Sequence, residues 1–307
     1  MIRRWEKLGR LYCPPALGRH PKLLTHAANP LPVFLEGNTY RIFYSARDSS
    51  NRSSIGAVDV DLLRAKVVRD YEEPWFEHGP PGSFYADGVS IGNCYQVQGR
   101  RYMLFMGWQA SAHEHWRGDI GRLEVRADLT LSLDGGAPFL GSDPIDPVSL
   151  SYPWVMGSDQ EGYRMWYGST MSWDAGNGEM LHVLKYATSS DGHCWQRQGL
   201  AVPYELGVAQ AFSRPTVIRD DTDGYQMWFS YRGGPGRTYR IGYACSADGL
   251  AWQLALDQAG IDVSADGWDS EMVEYPFVLT HAGRRYMLYN GNGHGRSGFG
   301  LAVLTET

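Results

Sequence analysis

The sequence predicts an all-β fold, a five-bladed β-propeller built from four-stranded antiparallel blades. The first observation is a repeat, because Tyr40, Tyr102, Tyr163, Tyr225 and Tyr286 recur at intervals of 62, 61, 62 and 61 residues. Each tyrosine lies inside a near-copy of the same strand, and the five periods use almost all of the 307 residues. Repeats of this length are typical of arrays whose units bury their apolar faces against each other. A single domain over residues 1–307 is therefore expected.

The repeated tyrosine is predicted to lie on the second strand of each blade. A proline stands ten residues before it in four copies, at Pro30, Pro153, Pro215 and Pro276, and Gly92 takes this place in the second copy. An apolar run follows, and a glycine-containing turn then leads to the tyrosine, which is a hairpin pattern. The proline begins the first strand, where its missing N–H removes no ladder hydrogen bond.

Third strands are predicted to begin at Ile55, Ile120, Val183, Ile241 and Phe299. In YATSSDGHCW and YACSADGLAW, an Asp-Gly turn leads from the third strand to a fourth. The last copy stops after its third strand, and the segment WEKLG near the N-terminus resembles WQRQG of the third copy. We therefore expect residues 3–13 to supply the missing strand and to close the ring, which removes an open sheet edge.

The predicted blades are residues 14–75, 76–135, 136–203, 204–258, and 259–307 together with 3–13. A β-sandwich does not repeat at intervals of about 61 residues, and an array of small domains does not share a strand between its termini. Neither alternative is favoured.

Composition argues against several classes of partner. The net charge is −6, the isoelectric point is about 5.8, and the basic residues are scattered, whereas a nucleic-acid surface needs clustered Lys and Arg. The N-terminus lacks the apolar region of a secretory signal, and no apolar run reaches membrane-spanning length. The four cysteines lack metal-ligand spacing. The chain is expected to be cytoplasmic and to need no cofactor or metal, and its oligomeric state is left open.

The repeat separates scaffold from candidate site. Propellers bind ligands at the mouths of their first strands and on the loops that follow the second strands. Ser90, Ser151 and Ser213 occupy one shared position, and their hydroxyls are expected to satisfy nearby backbone groups. Polar residues found in one copy alone are the functional candidates, and the strongest are Asp87, Arg214, Glu271 and Glu274.

Glu274 lies between apolar residues in MVEYPFVL, where a carboxylate is costly to bury without a partner. It is therefore interpreted either as a catalytic proton donor with a raised pKa or as the ion-pair partner of Arg214. Asp87 is either an Asp-Gly turn residue or a second carboxylate that faces Glu274 across the channel, with a spacing of roughly 6.5–9.5 Å expected for an inverting glycosidase. Glu271 is either a further catalytic carboxylate or a solvated loop residue.

Loops after the second strands mix aromatic rings with amide, guanidinium and imidazole groups. Sugars need this mixture, because their C–H faces stack on rings while their hydroxyls need polar partners. The predicted saccharide-binding residues are His26, Asn29, Arg47, Asp48, Trp108, Tyr152, Trp173, Arg214, Tyr231, Arg232, Asn292 and His294. His113, Glu114 and His115 do not predict a metal site, since no further ligands accompany them. The motifs of nucleophilic serine hydrolases and nucleotide-binding proteins are missing from the sequence.

The proline-initiated hairpins, the YAxSxDGxxW pattern and the five copies resemble the five-bladed β-propeller glycosidase superfamily over the full chain. This superfamily includes glycoside hydrolase families 43, 62, 32 and 68 and the mannoside phosphorylases of family 130. In family 43 an Asp directly before the first-blade proline is the general base, and a Glu two residues before a later proline is the acid. Here Asn29 occupies the first position, and Glu274 has the pattern of the acid but lies in the last blade. Asp87, in the second blade, is a candidate pKa tuner or replacement base.

The resemblance implies a carbohydrate-active protein and leaves three functions open. The leading hypothesis is a divergent glycoside hydrolase that uses Glu274 with Asp87 or Glu271, with Arg214 as the residue that orients the acid. A second is a phosphorylase or glycosyl-transfer enzyme in which Arg47, Arg232 or His294 holds phosphate. The third is a non-catalytic saccharide-binding propeller in polysaccharide metabolism.

Overall fold

The computed structural model describes residues 3–110, 115–220 and 222–306, which are all-β apart from one 3-10 turn at Leu256–Gln258. Among these residues, no helix has the length and hydropathy needed to cross a membrane. The strands are β1 (Arg3–Tyr12), β2 (Thr25–Glu36), β3 (Thr39–Arg47), β4 (Ser53–Asp61), β5 (Lys66–Asp70), β6 (Gly88–Val97), β7 (Arg100–Gln109), β8 (Arg117–Val125), β9 (Leu131–Leu133), β10 (Ser149–Ser158), β11 (Gly162–Ser172), β12 (Leu181–Ser189), β13 (Gln196–Leu200), β14 (Ala211–Asp220), β15 (Gly224–Arg232), β16 (Arg240–Ser246), β17 (Gln253–Leu254), β18 (Glu274–His281), β19 (Arg284–Asn290) and β20 (Phe299–Glu306).

Antiparallel pairing places these strands in five four-stranded units. Units 1 to 4 are β2–β5, β6–β9, β10–β13 and β14–β17, and unit 5 consists of β18, β19, β20 and β1. Strand β1 pairs with β20 from Arg3 opposite Glu306 to Tyr12 opposite Phe299, which is the pairing expected of residues 3–13. The first strands of the units contact each other in the cyclic order β2, β6, β10, β14, β18 and back to β2. The cyclic order brings the N-terminal ends of these five strands into one region.

Glycines on the third strands explain part of the repeat. A Cβ atom at Gly56 of β4 would lie 2.6 Å from the ring of Tyr44, and one at Gly121 of β8 would lie 2.2 Å from the ring of Phe105. Both rings come from the second strand of the same unit and are fully buried. The Ile-Gly pair at these positions therefore provides the space in which a second-strand aromatic ring packs.

Strain recurs at one position of the first strands. The residue before the proline has a positive φ in four units, at Asn29 (55°), Tyr152 (37°), Arg214 (45°) and Tyr275 (53°). The strand register shifts at each of these places, so every one is a bulge. Side chains other than glycine adopt this conformation at a cost of about 1–3 kcal/mol, and such positions cluster at functional sites.

Arg214 connects the first strands at their centre. Its side chain is buried, and its guanidinium donates hydrogen bonds to the backbone oxygens of Pro30 (2.7 Å) in β2, Ile91 (3.2 Å) in β6 and Tyr275 (2.7 Å) in β18. Burial lowers the pKa of Arg214 to about 9, which leaves it charged at neutral pH. One side chain of β14 thus joins the first strands of three other units.

Second-strand side chains add bonds between neighbouring units. The N–H of Tyr275 in unit 5 donates to Ser230 Oγ of unit 4 (2.7 Å), and the N–H of Asn29 in unit 1 donates to Asn290 Oδ1 of unit 5 (2.9 Å). These donors belong to bulge residues, whose N–H groups lie outside the strand ladder. The side chains therefore satisfy backbone groups that the bulges leave unpaired.

The substitution Arg214→Met should lower the free energy of unfolding by about 3 kcal/mol or more, since each buried carbonyl left without a partner costs about 1–3 kcal/mol. Urea denaturation followed by tryptophan fluorescence measures this change. Arg219→Met is the matched control, because Arg219 lies exposed on the same strand, and its effect should stay within about 0.5 kcal/mol. Equal unfolding midpoints for the two variants would contradict the role given to Arg214.

Candidate functional site

A cavity of about 340 Å³ opens where the first strands begin. One part of its wall is aromatic and contains Trp108, Trp116, Tyr152, Tyr239 and Tyr275. Trp108 is the second-to-last residue of β7, and its Nε1 donates to Ser53 Oγ (3.1 Å), which fixes the ring. The rings of Tyr152 and Tyr275 lie 5.4 Å apart, with their hydroxyl oxygens 3.3 Å apart. Rings held in this way offer stacking surfaces to the apolar faces of a sugar.

The charged side chains of the wall are basic. Arg47, Arg232 and His294 line the cavity together with His182, whose pKa is lowered to about 4 by burial, whereas no Asp or Glu of the described residues does. Arg232 forms an ion pair with the buried Glu179 (2.9 Å), while Arg47 donates to the neutral side chain of Asn51 (2.5 Å). The cavity therefore presents cations in a chain of net charge −6, and this arrangement attracts an anion.

Glu274 lies beside this wall and outside the cavity lining. It is fully buried and has the register position that Ser213 has in unit 4. His294 Nδ1 lies 3.2 Å from both carboxylate oxygens and is hydrogen-bonded to Oε2, while Oε1 has no hydrogen-bond partner among the described residues. The charge of Glu274 and this hydrogen bond raise the pKa of His294. The His294 side chain is 45% exposed and lines the cavity, so it lies between Glu274 and any ligand.

His26 lies near His294 without lining the cavity. Its burial, together with the positive charges of Arg47, Arg296 and His294, lowers its pKa to about 4. Its Nδ1 is 2.9 Å from Thr25 Oγ1. At neutral pH this imidazole is uncharged, so it adds no cation to the site.

His182 is a buried histidine that the sequence analysis missed. Its Nε2 lies 2.7 Å from Ser151 Oγ and its Nδ1 lies 2.7 Å from Thr170 Oγ1, and burial lowers its pKa to about 4. The expectation that the shared serines bond to the backbone is wrong at Ser151, which bonds to His182. It is also wrong at Ser213, whose buried hydroxyl has no partner among the described residues and lines the cavity.

Five of the predicted binding residues line the cavity: Arg47, Trp108, Tyr152, Arg232 and His294. All but Tyr152 lie at or just beyond the end of a second strand, where propeller loops were expected to carry the site. Tyr152 is the residue before a first-strand proline. The alignment of the repeats therefore identified both positions.

Asp87 and Glu271, which were predicted to be catalytic carboxylates, do not line this cavity. Asp87 lines a separate cleft with His78 and Gln109, and its Oδ2 accepts the N–H of Ala110 (2.7 Å). Glu271 is exposed and lies outside the cavity lining. Neither Asp87 nor Glu271 therefore lines the cavity that lies beside Glu274.

Two predicted residues, Trp173 and Arg214, do not line the cavity but support residues that do. Trp173 stacks on His115 (4.5 Å between ring centroids) and packs edge-on against Trp116 (4.9 Å), so it supports a ring of the wall. Arg214 makes no ion pair with Glu274 within the described part of the chain, because its guanidinium donates to backbone oxygens. Its side chain holds the strands and does not orient the carboxylate directly.

The four remaining predicted residues do not line the cavity either. Asp48 forms an ion pair with Arg52 and accepts the N–H groups of its own turn. Asn292 accepts the N–H groups of residues 271 and 272. Tyr231 packs against Phe229. Asn29 is 1% exposed and has an Nδ2 without a partner among the described residues.

Sequence reasoning missed three residues that face the cavity. Trp116, Met180 and Tyr239 each stand directly before a third strand, β8, β12 and β16 respectively, and all three line the cavity. In the sequence they stand four, three and two residues before Ile120, Val183 and Ile241. Alignment of the repeats therefore does not bring them to one position, and no repeated signal identified them.

The described residues contain no group of three or more His, Cys, Asp and Glu side chains that could hold a metal ion. His113 and Glu114, which raised the question of a metal in the sequence, lie outside the described residues.

Comparison with solved structures shows the fold. A structure from the GH130 family of mannoside phosphorylases, which contains glycoside hydrolases that target β-1,2 mannosidic linkages in Candida mannan, is 13% identical with a TM-score of 0.73, over 99% of this chain and 94% of that chain. A glycosyl hydrolase from Bacteroides ovatus is 13% identical with a TM-score of 0.71, over 99% and 94%. The GH32 β-fructofuranosidase BmSUC1 of Bombyx mori is 11% identical with a TM-score of 0.64, over 92% and 61%.

Comparison of sequences shows the family. No model of a known protein family matches the chain. Two proteins from Mycobacterium tuberculosis, Uncharacterized protein MT1551 of strain CDC 1551 and Uncharacterized protein Rv1502 of strain H37Rv, are each 43% identical over 302 residues, which cover 98% of this chain and 99% of theirs. The chain therefore belongs to the family of Rv1502 and MT1551, and its fold is similar to that of the three solved structures above.

Proposed function

We propose that the protein is a glycoside phosphorylase, which binds the end of a saccharide against the aromatic wall of the cavity and inorganic phosphate at Arg47 and Arg232. One observation carries this proposal: the cavity is lined by two arginines and, within the described residues, by no carboxylate. Guanidinium groups bind phosphate through charge-assisted hydrogen bonds, which are among the strongest that side chains form.

The fold that holds this site is proposed to be a closed propeller in which the five units are the blades of one domain over residues 1–307. Two observations support closure. The first strands contact each other in a complete cycle, and β1 occupies the outer edge of unit 5 beside β20. In such a ring the cavity lies at one mouth of the central channel, where propellers bind small molecules.

The nucleophile decides between phosphorolysis and hydrolysis. An inverting hydrolase needs one carboxylate to protonate the leaving group and another to activate water. Asp87, the expected second carboxylate, lines a different cleft and accepts the N–H of Ala110. Phosphate is already an anion at neutral pH and attacks the anomeric carbon without a base. The residues of the cavity therefore suit a reaction in which phosphate replaces activated water.

The saccharide side of the cavity is supported by stacking surfaces and by an unpaired hydroxyl. Ser213 Oγ is buried at the cavity wall and has no hydrogen-bond partner among the described residues. Buried polar groups in folded proteins nearly always have a partner, so a sugar hydroxyl is a fitting one here. A volume of about 340 Å³ is at the lower end of ordinary small-molecule sites and suits a short saccharide end. The likeness to a structure from the GH130 family of mannoside phosphorylases supports the same reading.

Hydrolysis is the second candidate, and Glu274 is the observation that favours it. This residue has the Glu-x-Pro pattern of a glycosidase acid, and its Oε1 is unpaired within the described part of the chain. Water would then take the place of phosphate as the nucleophile.

Phosphate dependence separates these candidates. Oligosaccharides and aryl glycosides should be turned over in the presence of inorganic phosphate, with release of a sugar 1-phosphate detected by mass spectrometry. Arg47→Met should raise the KM for phosphate about 10- to 100-fold, because a hydrogen bond to a charged group contributes about 1.5–3 kcal/mol. Arg126→Met, at an exposed position outside the cavity lining, is the control and should leave this KM unchanged.

Two other outcomes of this experiment would each support a different function. Release of free sugar at the same rate with and without phosphate would overturn phosphorolysis in favour of hydrolysis. Saccharide binding without turnover of any substrate, under either condition, would show a binding protein.

The aromatic wall generates a separate prediction. Trp116→Ala should weaken saccharide binding about tenfold, which corresponds to roughly 1.4 kcal/mol of stacking and apolar contact. The affinity for phosphate, measured by isothermal titration calorimetry in the same buffer, should stay as in the wild type. Phe34→Ala removes an aromatic ring that is 54% exposed and outside the cavity lining, and it should change neither affinity. A saccharide affinity that survives Trp116→Ala would place the sugar elsewhere.

A further inference from the structure

We propose that His294 is the residue that protonates the departing glycosidic oxygen, and that the buried Glu274 is a positioning residue that keeps this imidazole charged and oriented. The inference rests on the proposed function, since it assigns the acid of that reaction. It differs from the sequence hypothesis, in which Glu274 itself donates the proton.

Access separates the two residues. Glu274 is fully buried and is not part of the cavity lining, so no substrate oxygen in the cavity reaches its carboxylate. His294 lines the cavity, is 45% exposed, and contacts that carboxylate through Nδ1 at 3.2 Å. The second ring nitrogen, Nε2, has no hydrogen bond within the described residues and is the one available to a ligand. A general acid must lie within hydrogen-bond reach of the atom that it protonates, and of the two residues His294 alone meets this condition.

The loop around His294 is fixed in place. It connects β19 to β20, and the N–H of Ala27 donates to Gly295 O (2.9 Å), which attaches it to β2. A Cβ atom at Gly295 would lie 2.8 Å from Ala28 Cα, so glycine is needed for this approach. His294 itself has a φ of 57°, which an L-residue adopts only when its surroundings enforce it. The ring is thus presented to the cavity by a constrained backbone.

The charges around His294 act in opposite directions. Arg47 of β3 and Arg232 of β15 lower its pKa, as does its own burial, whereas the charge and hydrogen bond of Glu274 raise it and prevail. Tyr239, before β16, packs edge-on at 5.9 Å and contributes no charge at neutral pH, because burial raises the pKa of its phenol. His26 of β2 is neutral at this pH, since its own pKa is lowered to about 4. Glu274 is therefore the residue that favours the protonated form of His294 against two neighbouring guanidinium groups.

The proposed reaction transfers the glycosyl group from the glycosidic oxygen to phosphate. A phosphate oxygen donates an electron pair to the anomeric carbon as the bond from that carbon to the glycosidic oxygen breaks. The glycosidic oxygen keeps the electron pair of the broken bond and takes the proton of His294 Nε2, so the acceptor leaves as an alcohol. His294 becomes neutral, and its Nδ1–H still donates to the Glu274 carboxylate. Glu274 takes no part in this proton transfer and holds the ring in place, as a positioning carboxylate does for a catalytic histidine.

A titration of His294 tests the pair without any substrate. In the ligand-free full-length protein, two-dimensional NMR of the imidazole nitrogens should give a pKa above the ordinary 6.5. Glu274→Gln should bring that pKa below the ordinary value, because the opposing charges of Arg47 and Arg232 remain. Asp266→Asn, which removes an exposed carboxylate in the segment before β18, is the control and should leave the titration unchanged. A His294 pKa that Glu274→Gln does not move would overturn the pair.

Leaving-group dependence tests the proton transfer itself. With a saccharide leaving group, His294→Asn should lower kcat/KM in phosphate about 10²- to 10⁴-fold, whereas with a dinitrophenyl leaving group, which needs no proton, the loss should be less than about tenfold. In the wild type kcat/KM should fall as the pH rises through the pKa of His294, and Glu274→Gln should move this fall to lower pH. Equal losses for both leaving groups would overturn the role of His294 as acid.

Failure of the proposed function would look different. A wild-type protein that turns over no glycoside, with or without phosphate, would contradict phosphorolysis and with it the acid role. A wild type that is active on both leaving groups, in which His294→Asn retains full activity, would contradict only the assignment of His294.

Discussion

A buried guanidinium organises the centre of this protein. Arg214 has no carboxylate partner among the described residues, and its charge is compensated by backbone oxygens of β2, β6 and β18. A buried charge is tolerated only where such hydrogen bonds replace those of water. Each acceptor belongs to a different unit, so the bonds form only when these units are assembled. The arrangement couples the burial of one charge to the packing of the whole set of first strands.

The same interaction positions the candidate site. The oxygen of Tyr275 accepts from Arg214 (2.7 Å), and its N–H donates to Ser230 Oγ (2.7 Å), so its strained backbone is held on both sides. Glu274 precedes it by one residue, and its direction follows from that backbone. Glu274 is the only carboxylate that contacts His294 among the described residues. Its position therefore depends on the hydrogen bond between Arg214 and Tyr275. A strained backbone position of a first strand thus lies directly beside the residues of the proposed chemistry.

The sequence predicted the parts of the structure that repeat. Strand order, the hairpins around the tyrosines and the pairing of residues 3–13 follow from the alignment of five copies, because residues with one structural task are kept in each copy. Arg47, Trp108, Arg232 and His294 were found because they lie at or just beyond the ends of second strands, six to eight residues after the tyrosines. The direction of a loop side chain depends on local hydrogen bonds that no repeat records.

Asp87 shows this dependence: its carboxylate accepts the N–H of Ala110 and faces another cleft. The surroundings of Glu274 depend instead on a contact between distant parts of the chain. Its burial and isolation could be read from the apolar residues around it, but the intervening His294 comes from a loop 20 residues later, and the contact forms only in the folded chain. A histidine between carboxylate and cavity changes the chemistry that the same carboxylate can perform. Of the two residues, His294 lines the cavity and Glu274 lies behind it.

The asymmetry of the repeats is concentrated at the junction of units 5 and 1. At the position where three units have serine, unit 5 has Glu274 and unit 1 has Ala28. The small Ala28 is what allows Gly295 to pack against β2, and this contact sets the loop that carries His294. Unit 5 thus supplies the carboxylate of the pair, while Ala28 of unit 1 leaves room for the loop that brings His294 to it. The polar pair at the cavity therefore depends on the residues that two neighbouring units have at the same register position.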